Sequence, residues 1–176
     1  TGEIVDRHCH DGIDDRLGSR NSPPIMNMAW SKVFFWDGGV FHLDLQPLVP
    51  ITTYAEMDEK MSMVLDKLRK HPDYPALYKK AFGSEEITSA KTMKALSQFM
   101  LMCVSSNSKY DKVMRKEGEK FTKEEEQGYK LFQQKCAGCH AEPFFTDQSF
   151  RNNGIAIGRN DDRGRFTITL DTLDAY

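Results

Sequence analysis

Cys136-Ala137-Gly138-Cys139-His140 is the stretch that decides the fold. Two thiols two residues apart, followed at once by histidine, form the attachment signature of a c-type haem. The spacing sets the sulfurs one helical turn apart, so both can add across the porphyrin vinyl groups as thioethers. The adjacent histidine then supplies the proximal nitrogen to iron. A bare CxxC would also suit a redox dithiol or half of a zinc site. Zinc needs two more ligands at similar spacing, and no second Cys/His pair of that kind lies downstream.

Upstream of the motif, Thr122-Lys123-Glu124-Glu125 is a capping box. It predicts a helix through Tyr129, Leu131 and Phe132 that runs straight into the thiols. Downstream, Pro143, Asn152, Asn153, Gly154, Gly158 and Gly164 predict irregular backbone, which suits a segment wrapping a haem edge. Further back, Lys112 to Lys120 is charged and solvated, and Ser105 to Ser108 is a break. Thr88 or Ser89 caps a helix expected to reach about Val104. Cys103 in that run reads as a buried core thiol. Pro75 to Phe82 reads as a short helix stopped by Gly83. From Ala55, the residues Met57, Met61, Val64, Leu65 and Leu68 recur at three- and four-residue steps, one apolar helical face that Pro72 ends. Residues 1 to 54 are rich in turn signals: Arg20-Asn21-Ser22-Pro23-Pro24 is extended, and Phe34 to Gly39 is an aromatic cluster ending in a turn. The expected fold is all-α with long loops, dividing near residues 105 to 120 into domains at 1–112 and 113–176.

The 176 residues, 39% hydrophobic and 28% charged with a net charge of −2, describe an ordinary globular composition. Bulk charge offers no case for nucleic acid or anionic membrane. No apolar run approaches the ~18 residues that cross a bilayer. Haem is joined to CxxCH outside the cytoplasm, which points to a periplasmic setting. Four cysteines make a disulfide framework a poor fit.

Several segments in order carry a resemblance. They are Arg20-Asn21-Ser22-Pro23 with Asn27, then Phe35-Trp36-Asp37-Gly38, then Gln46 and Glu56-Met57 at ten and twenty residues after Trp36. Last come Cys136 to His140, with Phe145-Thr146-Asp147, Phe150, Asn152 and Gly154 behind them. With these, the chain resembles the bacterial di-haem cytochrome c peroxidases, a group that includes the MauG-type enzymes. The resemblance implies two cytochrome c-like haem domains and two haem c groups per intact protein. Hydrogen peroxide is reduced at the first haem, and the second receives electrons from a small donor cytochrome c or cupredoxin. A homodimer is an assembly open to such a protein.

By the same resemblance, Cys136, Cys139 and His140 hold the second, electron-transfer haem, with His140 on its iron. Trp36 lies between the haems and helps pass electrons. Gln46 and Glu56 line the distal side of the peroxide site. Asn21 helps bind calcium. The family's first CxxCH, expected before Asn21, is not in this chain. Asp6-Arg7-His8-Cys9-His10 has only its Cys-His end, so the first motif is expected upstream of Thr1. The second haem's other axial ligand is expected after Tyr176, so both domains read as incomplete here. Plainer readings compete. Glu56 can sit in the first turn of its helix and favour the dipole. Trp36 and Trp30 can be packed core, as can Met57, Met61 and Met63. His8 and His10 can be exposed loop histidines or a distal ligand. One haem and no peroxide chemistry would make the protein an electron-carrier cytochrome.

Overall fold

Regular structure among the described residues is helical, relieved by one isolated antiparallel bridge between Phe34 and Val40. The structure, a computed structural model, describes residues 12–18, 20–152, 154 and 162–174. In chain order the α-helices are α1 (Leu48–Thr52), α2 (Met61–Lys70), α3 (Tyr74–Phe82), α4 (Ser89–Met102), α5 (Lys109–Met114), α6 (Lys123–Lys135) and α7 (Phe166–Thr169). The fold is all-α, and among the described residues no helix is long and apolar enough to cross a membrane. The chain divides into two compact units, Thr1–Cys103 with Ala156–Tyr176 and Val104–Ile155.

In the first unit, local signals set the ends of α3 and α4. Pro75 opens α3, where its missing N–H has no partner to lose. Gly83 closes it at φ 76, a left-handed conformation that a β-carbon would strain. Thr88 caps α4 by accepting the Lys91 amide at 3.3 Å. One face of α4 then builds the core: Met100 packs with Met28 and Phe34, flanked by Phe35, Val40 and Leu43. Tyr78, Ile87 and Met93 are also buried, Ile87 to 2% exposure. Tyr78 Oη lies 2.7 Å from Thr92 Oγ1, and Thr92 itself donates to the Thr88 carbonyl at 2.8 Å. Tyr78 is therefore the donor, and the buried phenol is satisfied.

The second unit is built differently. None of its described side chains is buried. Two capping boxes, Ser108 with Asp111 and Thr122 with Glu125, start α5 and α6. Glu125 Oε2 accepts both the Thr122 amide (2.7 Å) and Lys109 Nζ (2.5 Å), tying the two helix starts together. A chain of rings runs Phe121–Tyr129–Tyr110–Phe145–Phe132, tilted at its first contact and edge-to-face at the others, with centroid separations of 4.9–6.1 Å.

Six expectations change. The helix expected from Ala55 begins at Met61, because residues 53–59 fold into a turn held by its own backbone. Glu56 is therefore outside any helix, and the dipole reading of it falls. Met57, on that turn, and Met63, on α2, which buries no residue, are 57% and 47% exposed rather than core. Trp30 and Trp36 are also exposed, at 46% and 55%, Trp30 at the end of the short 3-10 helix Met28–Trp30 and Trp36 on a turn, both outside the Met28–Phe34–Met100 core. Cys103 is only half buried, at the end of α4. The solvated stretch from Lys112 is in its first residues the end of α5, whose Ser108 box starts a helix at Lys109.

Candidate functional site

The thiol motif is the end of α6. Cys136 caps the helix through the Phe132 carbonyl at 2.8 Å, and its own carbonyl accepts the amides of Cys139 (3.1 Å) and His140 (2.9 Å). That tight turn sets the two free, exposed thiols one turn apart, as thioether formation requires. His140 Nδ1 lies 3.0 Å from the Phe145 carbonyl. A carbonyl has no proton to give, so Nδ1 carries the hydrogen and Nε2 keeps its lone pair for a metal. The loop supplying that carbonyl is closed by Thr146 N–H on the Ala141 carbonyl and Asp147 N–H on the Cys139 carbonyl, both 3.0 Å. Asp147 accepts from the Ser149 hydroxyl and amide and from Arg151, which together hold its carboxyl well below the usual range.

These residues fit a c-type haem. They offer two free thiols, a histidine in the tautomer that leaves Nε2 available, and half-exposed aromatic rings of an otherwise coreless unit. Among the described residues no three His, Cys, Asp or Glu side chains converge as a metal cluster. Among those residues the motif has no neighbouring donors with which to complete a tetrahedral zinc site.

Glu56 and Gln46 lie in the first unit, on either side of α1. Gln46 is 7% exposed. Glu56 stands on the 53–59 turn, which is strapped from several sides. Its amide donates to the Thr53 carbonyl at 3.0 Å, and its carbonyl accepts the Ile13 amide at 2.7 Å. Arg16 reaches the Tyr54 carbonyl (2.9 Å) and Asp58 (2.6 Å) and covers the Tyr54 ring at 4.0 Å. Gly12 is needed there, since a β-carbon would fall 2.0 Å from the Ala55 carbonyl oxygen. Within this rigid frame Glu56 Oε2 is buried with no hydrogen-bond partner among the described residues. An unpartnered buried carboxylate oxygen is costly, and such atoms call for a functional explanation.

Trp36 stands on the turn closed by the Phe34–Val40 bridge, where Phe35 (φ 67) and Gly38 (φ 70) are left-handed. Its indole N–H donates to the Asn21 carbonyl at 2.7 Å. The neighbouring pair is joined as well: Arg20 Nη1 meets Asp37 Oδ2 at 2.6 Å, while Nε and Nη2 take Asp162 in a two-pronged grip, each at 2.6 Å. Arg165 adds a bond to the Asp37 carbonyl at 2.7 Å. Arg20 in turn holds the Asp162 carboxyl below its usual range. Asn21 is exposed, with its carbonyl engaged by Trp36.

Of the residues expected from sequence, the structure brings Cys136, Cys139 and His140 together and joins Trp36 to Asn21. His8, Cys9 and His10 lie outside the described residues. Sequence reasoning missed Tyr110, Tyr129 and Glu142, whose ties are long-range. It also missed Arg20–Asp162, a pair 142 residues apart. The Ser108-x-x-Asp111 box was the one local signal for the helix carrying Tyr110.

The chain matches the sequence profile described as "Di-haem cytochrome c peroxidase" over residues 2–119. It is 36% identical to the methylamine utilization protein MauG of Methylorubrum extorquens, an alignment covering 100% of this chain and 54% of that protein. Against the cytochrome c551 peroxidase of Nitrosomonas europaea the identity is 29%, over 99% of this chain and 57% of the relative. The chain thus spans about half the length of these curated relatives. The crystal structure of a MauG-like protein associated with microbial copper homeostasis superposes with a TM-score of 0.80. That match is 24% identical in sequence and covers 96% of this chain and 56% of the other.

Proposed function

The chain belongs to the di-haem cytochrome c peroxidase family, and from that premise we propose that the protein it represents reduces hydrogen peroxide to water. Electrons come from a small donor cytochrome c or cupredoxin and enter at the haem on Cys136, Cys139 and His140. The observation that carries the reading is Glu56 Oε2, buried and without a hydrogen-bond partner among the described residues, on a turn held by backbone hydrogen bonds. An acid–base group of this kind takes a proton from one peroxide oxygen and returns it to the other as the bond between them breaks. Gln46, buried nearby in sequence, presents an amide that orients the peroxide. Trp36 relays electrons. Its indole is aimed by a hydrogen bond rather than by burial. Bound haem supplies the iron and the redox equivalents; the protein supplies ligands, access and the proton.

The remaining assignments belong to the same proposal. They are two haem c groups per full-length protein, calcium at Asn21 and a periplasmic setting. The haem domains at 1–112 and 113–176 are functional halves, whereas along the sequence the compact units change at Cys103/Val104 and again at Ile155/Ala156. A second reading, a MauG-like enzyme that oxidises a partner protein, is favoured by the 36% identity to MauG. The test is a haem count on the full-length protein paired with a peroxide assay using reduced cytochrome c. Two haems and turnover support the peroxidase. One haem and no turnover remove it. Glu56→Gln lowers turnover about 100-fold or more with haem content intact; unchanged turnover takes Glu56 out of the mechanism.

A further inference from the structure

We propose that Tyr110 and Tyr129 are positioning residues for His140: together they hold Glu142, and through it the 141–147 loop whose carbonyl fixes the imidazole. The inference rests on haem attachment at Cys136 to His140 and not on the chemistry done elsewhere in the protein.

The geometry is specific. The His140 tautomer depends on a single acceptor, the Phe145 carbonyl at 3.0 Å. Phe145 offers it from a left-handed backbone, φ 56, which a side chain of this size adopts only when its surroundings over-determine it. Those surroundings are visible. The Phe145 ring meets Tyr110 edge-on at 4.9 Å and 61°, and Phe132 at 5.4 Å and 67°. At the start of the same loop, Glu142 Oε1 accepts both phenols, Tyr110 at 2.6 Å and Tyr129 at 2.8 Å. Both hydroxyls donate to that one oxygen. Tyr110 comes from α5 and Tyr129 from α6, the helix that ends in the thiols. Tyr110 therefore touches both ends of the stretch that presents the carbonyl: its ring holds Phe145 and its hydroxyl holds Glu142.

The consequence is electronic. An imidazole that donates Nδ1–H to a carbonyl is a more basic ligand, and a more basic ligand favours the ferric over the ferrous ion. Loosening the loop weakens that bond and should move the equilibrium toward ferrous.

The test uses the full-length holoprotein with Tyr110→Phe, Tyr129→Phe, the double change, and Glu142→Gln. Spectroelectrochemistry reads each haem's midpoint, and low-temperature EPR reads imidazole orientation. With haem content intact, the double variant should shift one haem about tenfold toward ferrous, roughly 59 mV upward for one electron, with altered g-values. Glu142→Gln keeps an oxygen that accepts both phenols without the charge, so it should stay close to the parent protein. An unmoved midpoint and unmoved g-values in the double variant overturn the proposal. So does a Glu142→Gln shift as large as that of the double variant, which would assign the effect to charge. If the double variant fails to load haem, Tyr129→Phe decides: a smaller shift in the same direction supports the proposal, and none defeats it. Peroxide turnover of the parent protein, measured separately, tests the peroxidase reading alone.

Discussion

Replacing Arg20 with alanine should loosen the first unit at one identifiable place. Its guanidinium spends three nitrogens on two carboxylates, all at 2.6 Å. The side chains involved are 23% (Arg20), 16% (Asp37) and 33% (Asp162) exposed, so they are partly withdrawn from water. Fully exposed ion pairs contribute at most about 1 kcal/mol, whereas removing one partner of a buried pair costs about 3–5 kcal/mol. The intermediate burial here places Arg20→Ala at about 2–3 kcal/mol. Hydrogen exchange resolved by segment is the right assay, because the chain has two units and one melting curve would average them. Amides at 35–39 and 164–170 should exchange roughly 30- to 150-fold faster, at about tenfold per 1.4 kcal/mol. Those at 74–102 should change least. Arg20→Lys keeps the charge but loses the fork, and should fall between. The pH dependence has a definite sign. Arg20 lowers the folded carboxyl of Asp162 below its unfolded value. The contribution is therefore complete above the unfolded value near ~3.9 and is lost as pH falls through the folded one. The gap between parent and Arg20→Ala should hold from neutral pH to about 4 and narrow below that. Equal exchange in both proteins, or a gap that widens in acid, refutes the reasoning.

Other outcomes follow from the same structure. Changing Cys136 and Cys139 together to serine should remove covalent haem from the peptide carrying residues 136–140 and lower the haem count by one, as mass spectrometry would read. Trp36→Phe removes the hydrogen bond to the Asn21 carbonyl. It should slow donor-driven turnover while leaving haem content and Arg20-dependent exchange unchanged. Ile87→Ala, at a site 2% exposed, should destabilise the first unit by about 3 kcal/mol, read by hydrogen exchange of the amides at 74–102.

What could be read from sequence was what depends on near neighbours. The Thr122–Glu125 box, Gly83 and the CxxCH turn are settled within four or five residues, and each stands where its spacing puts it. The apolar steps from Met57 misled because period alone cannot say where a helix begins. Arg16 and Gly12, far earlier in the chain, help hold residues 53–59 as a turn. Trp30 and Trp36 misled because tryptophan is usually buried, yet Trp36 here is aimed by a hydrogen bond from a turn. The Tyr110–Tyr129–Glu142 and Arg20–Asp37–Asp162 ties were illegible for one reason. Their members carry no mutual spacing rule, and only the folded chain brings them together.

The most direct test of the central claim is the stoichiometry of reduced donor cytochrome c oxidised per hydrogen peroxide consumed by the full-length holoprotein. Two donor electrons should be consumed for each peroxide. Peroxide consumed with no donor oxidised, or no peroxide consumed at all, would contradict it.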